Sequence, residues 1–200
     1  MSSKRNVAIL VFDDIEVLDF AGPYEVFNVA TELVQPEPFY VYTVGVVERI
    51  VQGRGKFAVQ PHYSIHNCPR PDLLIVPGGA GTRPLLKHDG LLAWLREQAK
   101  TTEKLMSVCT GALVLAQAGL LENLSATTHH ESFTRLAELS PTTTVITDQR
   151  FVDHGHICTS GGISAGIDMS LAVIQQLLGD EALAKVITEM EYQWHLPARG

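Results

Sequence analysis

Cysteine is scarce in this chain: Cys68, Cys109 and Cys158 are the only three among 200 residues, an odd number with no C-x-x-C pair. That pattern excludes a disulfide framework and a structural zinc site, and it points to a reducing compartment. Positive charge is scarce too. Fifteen Lys and Arg stand against 22 Asp and Glu, for a net charge of −7, and no local run of Lys or Arg offsets the balance, so nucleic acid is not expected as a direct partner. No apolar run approaches membrane-spanning length. The N-terminal Met-Ser-Ser-Lys-Arg leads straight into a strand-like run at 7–12, too short for a signal-peptide core and without a small-residue cleavage site. The expected location is cytoplasmic, with no membrane partner. Repeats, low-complexity tracts and linkers are also absent, so a chain with 46% apolar content is expected to form a single domain, 1–200, with a full core.

What is present is an alternation of strand-length apolar runs with helical periodicity, the pattern of an α/β protein whose mostly parallel sheet is sandwiched by helices. Strands are expected at 7–12, 39–46, 73–77, 104–109, 126–128, 143–147 and 151–159, and a hairpin or edge excursion at 48–61. Helices are expected at 19–30, with Pro23 near its first turn, and at 110–118, 131–139 and 166–178. Two more are expected at 89–98 and 180–192, capped by Asp89 and Asp180. Ligands of open α/β sheets collect at the carboxyl ends of the strands. Polar and glycine residues cluster at those points here: Asp13, Asp14, Glu16 and Asp19; Gly78 and Gly79; Cys109 and Thr110; His129; and 160–162.

Cys109 is the leading candidate for chemistry. It lies between the strand-like Lys104-Leu-Met-Ser-Val and a helix starting at Thr110-Gly111, a nucleophile elbow with sulfur in place of oxygen. A helix N-terminus lowers a thiol pKa; the competing reading is a small buried Cys filling a turn. Asp19, in the apolar setting Val17-Leu-Asp-Phe20, is either a helix cap or a partly buried carboxyl with a raised pKa that faces Cys109 and moves protons for it. In the second case a protonated carboxyl would stabilise the thiolate, and its removal would raise the thiol pKa. Gly78 and Gly79 are an oxyanion-hole candidate together with the Thr110 N–H, or an ordinary Gly-Gly turn. His129 is a candidate base or a structural histidine. Asp13 and Asp14 read as solvated turn carboxylates, Asp148 and Asp153 as a turn between strands, and Cys68 and Cys158 as structural.

Three segments together resemble the DJ-1/PfpI superfamily: Val7-Ala-Ile-Leu-Val-Phe with Leu18-Asp-Phe-Ala-Gly-Pro23, Leu74-Ile-Val-Pro-Gly-Gly79, and Ser107-Val-Cys-Thr-Gly-Ala-Leu-Val-Leu-Ala-Gln-Ala-Gly-Leu-Leu121. Ala126-Thr-Thr-His129 and Gly161-Gly-Ile-Ser-Ala-Gly-Ile-Asp168 extend the likeness over about residues 7–178. The resemblance implies a flavodoxin-like α/β sandwich related to class I glutamine amidotransferases. The intracellular protease branch has a histidine after its nucleophile, where this chain has Thr110; the DJ-1 branch has a glutamate where this chain has Asp19. The motifs are similar instead to those of the isonitrile hydratases and of the sensor domains of AraC-type regulators. The chain ends at Gly200 without a helix-turn-helix reader, which favours the hydratase expectation. His130 departs from the aromatic residue usual there in hydratases. What the resemblance implies is a cysteine-dependent hydro-lyase, a homodimer needing no metal or organic cofactor, that hydrates isocyanides to N-substituted formamides through a covalent thioimidate. Cys109 would be the nucleophile, Asp19 the acid-base group and Thr110 a positioning residue. The alternatives are a ligand- or redox-sensing module and a glyoxalase-like enzyme acting on methylglyoxal. The dimer surface expected from the sequence is the apolar helix 19–30 and Trp194.

Overall fold

The computed structural model describes residues 4–194. Its first apolar run forms β1 (Arg5–Val11), completely buried from Val7 onward, as befits a strand covered on both faces. There follow α1 (Val17–Leu33), β2 (Phe39–Gly45), β3 (Val51–Gln52), β4 (Ala58–Val59), β5 (Tyr63–Ser64), β6 (Leu73–Val76), α2 (Thr82–Leu85), α3 (Asp89–Ala99), β7 (Lys104–Val108) and α4 (Gly111–Gln117). The chain continues through β8 (Ser125–Ala126), α5 (Phe133–Leu139), β9 (Thr144–Val145), β10 (Phe151–Asp153), β11 (Ile157–Ser160), α6 (Ala165–Leu178) and α7 (Asp180–Glu189).

Among the described residues, seven strands make one sheet in the order β10-β11-β7-β6-β1-β2-β5. All neighbours are parallel except β10 and β11. Helices α1, α6 and α7 pack together, while α2, α3 and α5 gather around α4, so the apolar strands are flanked by two helical groups. This is the flavodoxin-like α/β architecture. From β1 the chain moves outward through β2 and β5, then returns to the other side of β1 with β6 and continues through β7 to β11. The direction reverses between β1 and β6, which opens a crevice at their carboxyl ends. The loops after β1, β6 and β7 all emerge there.

Several boundaries differ from the sequence expectation for local physical reasons. Helix α1 starts two residues early, at Val17, with Glu16 as its cap residue, so Asp19 lies in its first turn and Pro23 inside it. Pro23 lacks the amide that would bond the Asp19 carbonyl one turn back. His88 caps α3 with its Nδ1, which accepts the Leu91 N–H at 3.0 Å, in place of Asp89. Gly179, at φ +86°, precedes α7 in place of Asp180. The expected strand at 151–159 is a hairpin, β10 and β11, with Gly155 at φ +77° in its turn. Asp153 therefore stands on a strand, where it pairs with the buried Lys104 at 3.0 Å, and is not a turn carboxylate. Asp13 is not merely solvated, for it holds Arg49 and accepts the Gln52 N–H.

Candidate active site

Cys109 follows β7 directly at φ +55°, a left-handed conformation that a residue with a side chain adopts at a cost. The surrounding structure enforces it. The Cys109 N–H donates to the carbonyls of Ser160 and Gly161, both at 3.1 Å, and its carbonyl accepts the Thr128 hydroxyl at 2.7 Å. Gly111 lets α4 press onto β6: a Cβ there would come within 2.0 Å of the Val76 carbonyl oxygen. The elbow thus places the thiol at the floor of an open cleft of about 950 Å³, with only 6% of Cys109 exposed.

Asp19 sits behind the sulfur and is fully buried. Its Oδ2 accepts the Gly78 N–H at 3.0 Å, and its Oδ1 has no hydrogen-bond partner of standard geometry among the described residues. The carboxyl is therefore a buried acid and not a helix cap. Burial, with Glu16 adding its charge, pushes its pKa up to about 7 against the opposing pull of the Gly78 amide. The Cys109 thiol is pushed up to about 12, first by burial and then by the charge of Asp19, while the Thr110 N–H and hydroxyl pull it down. The helix terminus does not win here. A lowered thiol pKa, expected from the sequence, is overturned because the sulfur is enclosed and shares its space with a carboxylate.

The loop after β6 serves these two groups. Gly78 donates to Asp19, and Gly79 donates to Thr110 Oγ1 at 2.9 Å, so neither amide faces an anion in the cleft as an oxyanion hole would require. The glycines position the acid and the threonine instead. Gly79, at φ +123°, would carry a Cβ only 2.4 Å from the Glu16 nitrogen, so glycine is needed for this loop to meet the one after β1. The Glu16 N–H in turn donates to the Gly78 carbonyl at 2.9 Å. Thr82, which the sequence reading missed, donates its hydroxyl to the Gly79 carbonyl at 2.8 Å and lies 3.2 Å from Thr110 Oγ1. The single Thr110 hydroxyl hydrogen has two acceptors, the Gly79 carbonyl at a long 3.3 Å and the Cys109 sulfur, and a thiolate is the better one.

His129 also lines the cleft. Its Nδ1 accepts the Glu131 N–H at 3.4 Å, which leaves Nε2 to carry the ring hydrogen as a donor. The ring lies 4.3 Å, centroid to centroid, from that of His130, which is exposed. Gly162 is the second residue the sequence reading left unassigned. A Cβ on it would come within 2.4 Å of His129 Cδ2 and 3.2 Å of Cys109 Sγ, so this one bare backbone position separates imidazole from sulfur. The signal was the Gly161-Gly162 pair directly after β11, legible as a close approach but not as an approach to these two groups. Cys68 and Cys158 stand apart from the cleft lining, and Cys158 is buried in β11. Among the described residues no group of three or more His, Cys, Asp or Glu could hold a metal ion, and no helix is long and apolar enough to cross a membrane.

Comparison with known proteins places this geometry among relatives. The DJ-1/PfpI family matches residues 5–176. An isonitrile hydratase from Pseudomonas putida is 35% identical, covering 93% of this chain and 78% of that protein. The HTH-type transcriptional regulator GbdR from Pseudomonas aeruginosa is 28% identical over 94% of this chain, which spans only 50% of the regulator. A THiJ/PfpI family protein from Pseudomonas syringae superposes with a TM-score of 0.86 at 26% identity, covering 98% of this chain and 78% of that one. DJ-1beta from Drosophila melanogaster, at 18% identity, shares the fold with a TM-score of 0.84 over 96% of this chain and all of its own.

Proposed function

The chain belongs to the DJ-1/PfpI family, and from that premise we propose that it hydrates isocyanides to N-substituted formamides, with Cys109 as nucleophile and Asp19 as its acid-base partner. One observation carries the reading: a fully buried carboxyl, anchored through Oδ2 and unpaired at Oδ1, lies against the thiol and exchanges pKa influence with it.

Two such groups behave as a unit. Below about pH 7 the pair holds two protons, and between about 7 and about 12 it holds one. The one-proton state contains what the reaction needs. Sulfur bonds to the terminal isocyanide carbon while the shared proton passes from Asp19 to that carbon, giving a thioimidate and an Asp19 carboxylate. The carboxylate takes a proton from water as the oxygen adds to the same carbon, then passes that proton to nitrogen. Collapse breaks the carbon–sulfur bond, the hydroxyl proton returns to the pair, and the formamide leaves. One water is added to one isocyanide, and the pair ends as it began. Thr110 supports the sulfur through its N–H and hydroxyl, and the Nε2–H of His129 is a donor available to substrate or water.

The test is direct. Purified protein incubated with a simple alkyl isocyanide should produce the matching formamide, followed by loss of the isocyanide stretch; no turnover across several isocyanides removes this function and leaves the fold untouched. A ligand-sensing role is the second reading, favoured by the match over 94% of this chain to a transcriptional regulator. Isocyanide binding that leaves the compound intact would support it.

A further inference from the structure

We propose, building on the hydratase reading, that the cleft selects an isocyanide carrying a carboxylate on a short apolar chain, with Arg83 and Lys87 as the residues that recognise the anionic end.

The cleft lining mixes apolar side chains with polar ones and carries four cations. Leu86, Leu113 and Ile163 line it together with Cys109, while Arg54, Arg83, Lys87 and Arg135 bring positive charge to the same cleft. Two of the four cations are already engaged: Arg54 with Glu16 at 2.7 Å and Arg135 with Glu138 at 2.9 Å. Arg83 and Lys87 have no carboxylate partner among the described residues. They stand one helical turn apart on α2 and the turn that follows it, both exposed. Like charges at that spacing repel, so the pair does nothing for its own helix. In a protein of net charge −7, such a pair at the mouth of a reactive cleft makes a local field favourable to an anion.

The lining favours a monoanion. Glu131 is exposed and faces the same cleft, and it opposes a dianion such as a phosphate more strongly than a carboxylate. Glu16, the other carboxylate of the lining, is paired with Arg54, and Leu86, Leu113 and Ile163 offer apolar contact to a neutral spacer, which is what a short alkyl chain between the carboxylate and the isocyanide carbon requires.

Two experiments separate this proposal from the reading it rests on. The first needs no isocyanide. Cys109 is alkylated with iodoacetate or with iodoacetamide, a thioether forming as iodide leaves, and each rate is divided by that of free cysteine under the same conditions. Modification is located by peptide mass spectrometry, because Cys68 is also partly accessible. The normalised iodoacetate rate should exceed the iodoacetamide rate by about tenfold at low ionic strength and converge on it as salt is added. The Arg83→Gln/Lys87→Gln double variant should lose the preference. A ratio at or below one, or a ratio the double variant retains, overturns the proposal. The second experiment compares kcat/KM for a carboxylated isocyanide with that for its methyl ester. A preference of about tenfold for the acid that disappears in the double variant supports it, and equal use of both substrates overturns it. If neither isocyanide is consumed while iodoacetate remains preferred, the hydratase reading and the isocyanide substrate fall together, and anion recognition at the rim stands.

Discussion

At the scale of single residues, Asp19 sets both the chemistry and part of the stability. Its proton uptake shifts from the unfolded 3.8 to about 7 in the fold, so the folded chain binds more protons across that window. Stability is accordingly full below about pH 4 and falls as pH rises toward 7, by about 4 kcal/mol at 1.36 kcal/mol for each unit. Turnover runs the other way, rising through the same pKa as the pair reaches its one-proton state. Asp19→Asn keeps the Gly78 contact and the shape but not the exchangeable proton. It should lower kcat/KM by on the order of a hundredfold or more, abolish the rising limb near pH 7, and flatten the dependence of Tm on pH between 4 and 8. A wild-type pH profile in the variant, or near-normal turnover, would refute the acid-base role. The thiol itself should respond against the expectation from sequence. Removing the carboxyl removes a neighbouring negative charge, so the Cys109 pKa should drop from about 12 and alkylation at pH 8 should quicken in Asp19→Asn. Slower alkylation would mean that the carboxyl acts on the thiolate chiefly as a donor.

At the scale of elements, the site depends on how closely loops and helices approach. Gly162, in the turn from β11 to α6, is a sensitive probe. Gly162→Ala places a methyl group within 2.4 Å of the His129 ring and against the sulfur, so His129 must move. A displacement near an ångström can cost about a hundredfold; kcat/KM should fall by at least tenfold while Tm changes little, since Gly162 is only half-buried. Unchanged turnover would show that His129 and the room beside the sulfur are not used. Gly111 tests the elbow from beneath. In Gly111→Ala the added carbon meets a main-chain oxygen at 2.0 Å, which no side-chain rotation relieves, so α4 must lift from β6. Denaturant unfolding should register a loss of about 1–3 kcal/mol, the usual range for overpacking, with a fall in activity as Cys109 shifts. A fully stable Gly111→Ala protein would mean that the joint between α4 and β6 is more pliant than its packing suggests.

At the scale of the whole molecule, the apolar face of α1 is not open for association. Phe20, Val26, Phe27, Val29 and Ala30 are buried within the same chain, where α1 packs on α6, α7 and β2, and Trp194 also packs against the core. The exposed large apolar side chains include Val47, Ile50 and Phe57, all on the excursion that carries β3 and β4. We therefore retain a homodimer as a proposal and move its surface to that excursion. Two-fold dimers are the commonest assembly of soluble chains, and the mass in solution should be about twice the 21.9 kDa of the chain. Phe57→Ser should weaken association; light scattering that returns a single-chain mass for the unaltered protein would defeat the proposal.

Sequence alone determined the α/β class, the strands β1, β6 and β7 that carry the site, and the elbow at Cys109. Each is written in local patterns: unbroken apolar runs for buried strands, helical spacing between them, and glycine or polar residues where strands end. The family resemblance was legible for the same reason, since its motifs are contiguous. Tertiary structure decided what the patterns left open. Asp19 as cap and Asp19 as buried acid look alike until β6 brings the Gly78 amide to its Oδ2 across 59 positions of sequence. The direction of the Gly79 amide depends on Thr110, 31 positions away, and turned an expected oxyanion hole into a support for the nucleophile's neighbour. His129 and Cys109 share one cleft with only the bare backbone of Gly162 between them. Arg83 and Lys87 form no basic run that the sequence displays, yet α2 and the turn after it bring both to the cleft that holds the sulfur. Short-range order follows from side-chain chemistry and spacing, whereas the direction of a hydrogen bond and the field in a cleft arise from which distant loops the sheet brings together.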